Sequence, residues 1–180
     1  HDKMFQRRAV LCLGEINAEL ADSIILQLFH LGMESKEEIT LYIHSPGGEV
    51  NSGMAIYDTM KTLGCPIRTV CLGDASSMAA ILFAVGDTRE ILEHSQVMIH
   101  DPLIPRMGGS TMKIKECADS MLKTRQMMAE ILSRHTGKSQ EEVQEKMERE
   151  TYFTAQEAVE FGLADRIVPA SAALPAKTAV

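Results

Sequence analysis

An α/β domain is the expectation from three features of this chain. Short β-rich runs alternate with helical patterns through the first hundred residues, a single long helical pattern dominates the second half, and 180 residues suit one domain of ordinary size. Ala9–Leu13 reads as a buried strand, and Ala18–Met33 as a helix with Ile24, Ile25, Leu28 and Leu31 on one side. Ile39–His44 is a strand that stops at Ser45-Pro46-Gly47-Gly48. A helix over Asn51–Leu63, a strand over Ile67–Leu72 and an apolar helix over Ser77–Val85 follow, then strands at Arg89–Leu92 and Val97–His100. Strands separated by helices of this length imply parallel pairing with right-handed crossovers.

From Thr111 to His135 apolar residues recur every three or four positions, among them Ile114, Cys117, Ala118, Met121, Met128 and Leu132. Gly137 is placed to end that helix. At 1.5 Å per residue it spans on the order of 35 Å, so either a neighbouring subunit or the domain's own sheet must cover its apolar stripe. Ser139–Glu148 and Ala155–Phe161 both open with capping-box spacing, Ser139 to Glu142 and Thr154 to Glu157. Pro169–Val180 is rich in Ala, Pro and Ser and reads as a frayed tail.

Composition narrows the function. Hydrophobic residues make up 45% and charged residues 24%, as in a soluble globular chain. The net charge of -7 argues against nucleic acid or an anionic membrane as the main partner. No run approaches the ~18 apolar residues of a membrane span, and the first ten residues carry no apolar signal-peptide core. The chain does not open with Met, so an upstream segment can be missing. The four cysteines form no C-x-x-C pair and no zinc-spaced set with histidine, and a cytoplasmic, reduced, metal-free protein is expected.

Four local features bear on chemistry. The Ser45-Pro46-Gly47-Gly48 turn exposes backbone N–H groups ahead of a helix, as an anion cradle does, although an ordinary strand-to-helix turn has the same residues. Gly73-Asp74-Ala75-Ser76-Ser77-Met78 places two serines at the start of an apolar helix, which suits either a nucleophile beside free N–H donors or a plain N-cap. Val97-Met98-Ile99-His100 ends a strand on a histidine. Glu148-Arg149-Glu150 is a charged run before Tyr152-Phe153. Each signal alone is weak.

Together, and in this order, they resemble the Clp protease proteolytic subunit (ClpP) family. The matching words are LYIHSPGGEVNSGMAIYDTM, GDASSMAA, VMIHDP, HTG and YFTAQEAVEFGLADRIV, and the likeness runs from about Ala9 to Val168. It implies a crotonase-like spiral of ββα units with a protruding handle helix, all in one domain: a head over about 9–102 and 136–168, a handle over about 103–135, and a flexible tail over 169–180. It also implies a serine endopeptidase in which Ser77 is the nucleophile, His100 the general base and Glu150 the third triad member. The backbone N–H groups of Gly48 and Met78 would form the oxyanion hole. Ser76 stands where the family generally has Ala and reads as a bystander.

The same resemblance implies heptameric rings stacked in pairs into a tetradecamer, with Glu148 and Arg149 at the ring-to-ring contact. Substrates would be unfolded polypeptides delivered by an AAA+ unfoldase, the Clp ATPase. ATP is used only by that partner, and the subunit itself needs no cofactor or metal. Five departures stand out. Glu150 replaces the usual Asp, adding a methylene and about 1.5 Å of reach. Asp101 replaces the usual Gln after His100, and strand alternation argues against its replacing Glu150. The handle segment Leu103–Ser110 is one residue longer and carries Pro105, which lacks an N–H for strand pairing. Thr40 and Thr62 replace rim aromatics, leaving Tyr42, and little chain precedes Ala9 for axial loops. These departures keep open a low-activity structural subunit working with an active paralogue. An acyl-CoA enzyme of the hydratase branch is a distant alternative that leaves Ser77 and His100 unexplained.

Overall fold

The computed structural model describes residues 2–103 and 106–175. In chain order the elements are α1 (Asp2–Phe5), β1 (Ala9–Leu13), α2 (Ala18–Glu34), β2 (Ile39–Ser45), α3 (Val50–Thr62), β3 (Ile67–Ser76), α4 (Met78–Ala84), β4 (Thr88–Leu92) and β5 (Gln96–Ile99). Then come α5 (Thr111–Thr136), α6 (Gln140–Met147), β6 (Thr151–Thr154), α7 (Ala155–Phe161), β7 (Arg166–Val168) and a 3-10 turn at Ala170–Ala172. The mixed α/β architecture agrees with the sequence reading.

Strands β1, β2, β3, β4 and β7 lie side by side, all parallel. The sheet does not stay flat. β3 pairs with β4 through Arg68–Cys71, then leaves it and pairs with β5 through Asp74–Ser76. Gly73, at φ +73°, sits at the change of direction, where an L side chain would be strained. The buried Ser95 hydroxyl stitches the bend: it accepts from the Gly73 N–H at 2.7 Å and donates to the Cys71 carbonyl at 3.2 Å. β6 then adds to β5 antiparallel.

One hydrophobic cluster holds most of the core. α4 is its centre, and every residue from Met78 to Ala84 is buried. α2 contributes Ile24, Leu28 and Leu31, while α5 contributes only its last third, Met128, Ala129, Ile131 and Leu132. The stripe on α5 is therefore shared: its C-terminal end packs on the domain itself, whereas Met112, Ile114 and Leu122 face solvent. Both capping boxes form, at Ser139/Glu142 and Thr154/Glu157, and Gly137 closes α5 in the left-handed conformation.

Two arginines, Arg8 buried and Arg89 half-buried, tie elements that the hydrophobic pattern leaves unconnected. Arg8 donates to the Leu31, Ser35 and Glu37 carbonyls at the C-terminus of α2, whose last turn holds no basic residue of its own. Arg89 binds Asp165 and donates to the His135 and Gly162 carbonyls, joining the ends of α5 and α7 to β4. Within the tail expected to fray, Ala173 is buried, and its carbonyl accepts a hydrogen bond from Tyr42. Packing of Ala173 with Ala9, Tyr42 and Val70 in a second small cluster gives this segment something to hold. Ile104 and Pro105 lie outside the described residues, as do 176–180, so the handle-strand expectation at Pro105 falls there.

The Gly47-Gly48 turn is locked against the loop after β1. Ile16 donates its N–H to the Gly47 carbonyl and accepts from the Glu49 N–H, both at 2.8 Å. A Cβ on Gly48 would stand 2.1 Å from the Ile16 carbonyl oxygen, with no flexible side chain to yield. Gly48→Ala should therefore cost about 2 kcal/mol or more, read in calorimetry as a melting temperature lower by about 4–8 °C. A melting temperature unchanged from the parent would contradict the close approach.

His135 is the other point of leverage. Burial, then the charges of Lys61, Arg134 and Arg89, press its imidazole down from 6.5 to about 4, against a small opposing effect from Asp87. The unfolded chain therefore binds the extra proton between about pH 6.5 and about 4, so stability is fully present above that window and is lost as pH falls through it. Melting temperatures measured across that window should fall more steeply in the parent than in His135→Gln. Equal slopes would show that His135 is not held neutral.

Candidate active site

Ser77 occupies the joint between β3 and α4, and its backbone is unusual. Its φ of +57° and ψ of -123° lie in a region that non-glycine residues seldom adopt. Ser77 thus stands at the N-cap position yet makes no side-chain cap bond. Its Oγ instead meets His100 Nε2 at 2.8 Å. The joint is held by the Ser77 N–H, which donates to the Met98 carbonyl at 2.8 Å, and by the apolar helix that follows.

Gly47 lies directly against this joint. A Cβ there would come within 2.6 Å of the Ser76 carbonyl oxygen and 2.8 Å of Ser77 Cβ. The bridge between Ile16 and Gly48 is made by Gly47 and Glu49 on either side, so it leaves the Gly48 N–H unused. The Met78 N–H opens α4, where a first-turn N–H has no intrahelical acceptor. Gly48 thus lines the same cleft as Ser77, and the Met78 N–H follows Ser77 directly in the chain.

That cleft has a volume of about 270 Å³. Pro46, Gly48, Ser77 and His100 form its reactive side, and Val50, Pro102, Leu103, Met121 and Met128 its apolar side. Among the described residues no Asp, Glu, Lys or Arg side chain lines it. α5 thus reaches the site from its middle, through two methionines.

Glu150 arrives by strand register. β6 pairs antiparallel with β5, and Ile99 stands opposite Thr151, so the next residue outward on one strand, His100, faces the preceding residue on the other, Glu150. The Glu150 Oε1 to His100 Nδ1 distance is 4.0 Å, beyond a hydrogen bond, and the Glu150 side chain is 58% exposed. Its remaining polar contact is a marginal one from the Tyr152 hydroxyl at 3.5 Å. The carboxylate is near the imidazole without clamping it.

Other residues singled out by the sequence fall as follows. Ser76 is buried and its hydroxyl donates to Asp74 Oδ1 at 2.6 Å, which draws it away from His100. Glu148 and Arg149 are exposed at the end of α6. Asp101 does not approach the His100 ring as an alternative acid; its carboxylate accepts from Arg125 Nε at 2.8 Å. The Asp101–Arg125 contact has no counterpart in the sequence reading. The available signal was the helical spacing Met121, Arg125, Met128, which puts the arginine on the cleft-lining face of α5. Cys12 and Cys71 are buried in strands with their thiols pushed up to about 12 by burial, so they are inert fillers, not nucleophiles. Among the described residues no helix is long and apolar enough to cross a membrane.

A hydroxyl in contact with an imidazole, next to paired N–H donors and an apolar cleft, is equipped for acyl transfer through a tetrahedral intermediate. Comparison with known proteins points the same way. The Clp protease family profile matches residues 1–171. The ATP-dependent Clp protease proteolytic subunit of Ligilactobacillus salivarius (strain UCC118) is 39% identical over 171 residues, covering 93% of this chain and 86% of that protein. With the profile spanning nearly the whole chain and that relative matched along most of its length, the chain belongs to the Clp protease family and is a serine peptidase of that kind.

Proposed function

We propose that this chain hydrolyses peptide bonds of unfolded polypeptides, with Ser77 as nucleophile, His100 as general base and Glu150 as a loosely held third acid. The observation that carries the reading is the 2.8 Å contact between Ser77 Oγ and His100 Nε2. His100 takes the hydroxyl proton as Oγ adds to the scissile carbonyl. The N–H groups of Gly48 and Met78 hold the resulting oxyanion, and the imidazolium returns the proton to the leaving amine. Water then repeats the sequence on the acyl-enzyme, releasing the acid and restoring Ser77. The positive φ of Ser77 favours this role, since strained backbone persists where the surrounding packing enforces it.

The apolar wall of Met121, Met128, Leu103 and Val50 suits an uncharged, flexible or branched side chain beside the scissile bond. The subunit works as part of stacked heptameric rings in the cytoplasm, fed by an ATP-driven Clp unfoldase, and takes no cofactor of its own. Exposed Met112, Ile114 and Leu122 on the outer part of α5, and the exposed Glu148-Arg149 pair, supply surface for the ring-to-ring contact.

A fluorophosphonate probe on the purified protein tests the nucleophile. Ser77→Ala should abolish labelling, while Ser76→Ala should leave it largely intact; labelling that survives the first change and vanishes with the second would reverse the assignment. The acid is tested by peptidase kinetics. Losing a working triad acid costs on the order of 10⁴ in kcat, whereas a carboxylate outside hydrogen-bond reach contributes little, so Glu150→Ala should lower basal kcat by less than about tenfold. A thousandfold loss would show Glu150 engaged with His100 in the working enzyme.

A further inference from the structure

His100 follows the last residue of β5, so its ring position depends on what holds the chain just beyond the strand. Asp101 is held twice. Its N–H donates to the Met147 carbonyl at the end of α6 at 2.8 Å, and its carboxylate accepts from Arg125 Nε on α5 at 2.8 Å. Arg125 stands one turn after Met121 and one turn before Met128, on the face that lines the cleft. It also marks where α5 leaves the core, since no residue of that helix before Met128 is buried. Next to it, Gln126 exchanges hydrogen bonds with Gln140 and Gln144 of α6. The strand end carrying His100, the middle of α5 and α6 are therefore tied at one point.

An imidazole that acts as general base must be oriented, and Glu150 at 4.0 Å does not do it. We propose that Asp101 and Arg125 are a positioning pair for His100: their contact fixes the backbone beyond β5, and through it the direction of Nε2 toward Ser77. An ion pair this open to solvent, with side chains 40% and 25% exposed, adds little to stability. Its effect lies in geometry, where displacement of a reacting group by an ångström costs far more than the contact's own strength. The pair also makes α5 a lever on the site, because any shift of the helix at Arg125 moves Asp101. The inference rests on the Ser77–His100 reading above.

The test uses the full chain in its native assembly, with Asp101→Ala, Arg125→Ala, the double variant and the charge exchange Asp101→Arg/Arg125→Asp. Asp101→Asn and Arg125→Gln replace any alanine variant that fails to fold. Each single change should slow fluorophosphonate labelling of Ser77 and lower kcat on a fluorogenic peptide about tenfold, with KM within about twofold. Acting as a unit, the double variant should be no slower than the worse single, and the exchange should recover much of the rate. Carbethoxylation of His100 by diethyl pyrocarbonate, read by peptide mapping, should rise in both singles as the ring loses its fixed place. Singles at the parent rate, costs that multiply in the double, or a loss confined to KM would overturn the proposal. If the parent itself does not label at Ser77, the peptidase reading falls, and His100 carbethoxylation alone decides whether the pair positions the ring: unchanged modification in the singles then refutes it.

Discussion

The bend in β3 is the constraint on which the site depends. A strand that stayed paired with β4 would end inside the parallel sheet; by turning at Gly73 and pairing with β5 it delivers Ser77 next to His100. The bend is enforced by the buried Ser95 hydroxyl, which occupies backbone groups released by the change of partner. Immediately after it the chain adopts positive φ at Ser77, a conformation that costs on the order of 1–3 kcal/mol. α4 offsets that cost. Ile81, Leu82 and Phe83 are fully buried, and each such side chain contributes about 1.5–3 kcal/mol. Burial of the helix exceeds the strain of the joint, so the half-buried Ser77 hydroxyl is held by a helix whose every residue is buried.

What was legible in the sequence follows the range of the physics. The alternation of strands and helices, both capping boxes and the Gly137 stop are local signals, and the structure reproduces them within one or two residues at most ends. β3 runs four residues past the expected Leu72, because its extension through Gly73-Asp74 is supported by pairing with β5 and not by local pattern. Glu150 directly precedes β6, yet Thr151-Tyr152-Phe153-Thr154 is short and follows a charged run; only its partner β5 makes it a strand. No local pattern marks Arg8 and Arg89, because the helix ends they satisfy are brought to them only by tertiary contacts. Thus the positions of Ser77, His100 and Gly48 along the chain were readable, whereas the distances among them, and the partner of Asp101, depend on non-local contacts.

The two carboxylates near His100 divide along the same line. Asp101 follows the histidine in sequence but points to α5, as strand alternation requires, and Glu150 is remote in sequence but faces the ring through strand register. Register alone brings Glu150 to 4.0 Å and leaves it 58% exposed. At that separation two opposite charges gain about 1 kcal/mol in water and about 4 kcal/mol at the effective dielectric of a protein surface. The influence of Glu150 on an imidazolium is therefore set by how much water surrounds it, more than by its extra methylene. A surface that covered the Glu148–Glu150 strip would strengthen the interaction severalfold without changing any bond in the subunit. Asp101 and Arg125 differ in kind: their contact acts on backbone position and not on the charge of the ring. Orientation of the imidazole can in this way reside within the single chain, while electrostatic support for its protonated form depends on what lies against the edge of β6.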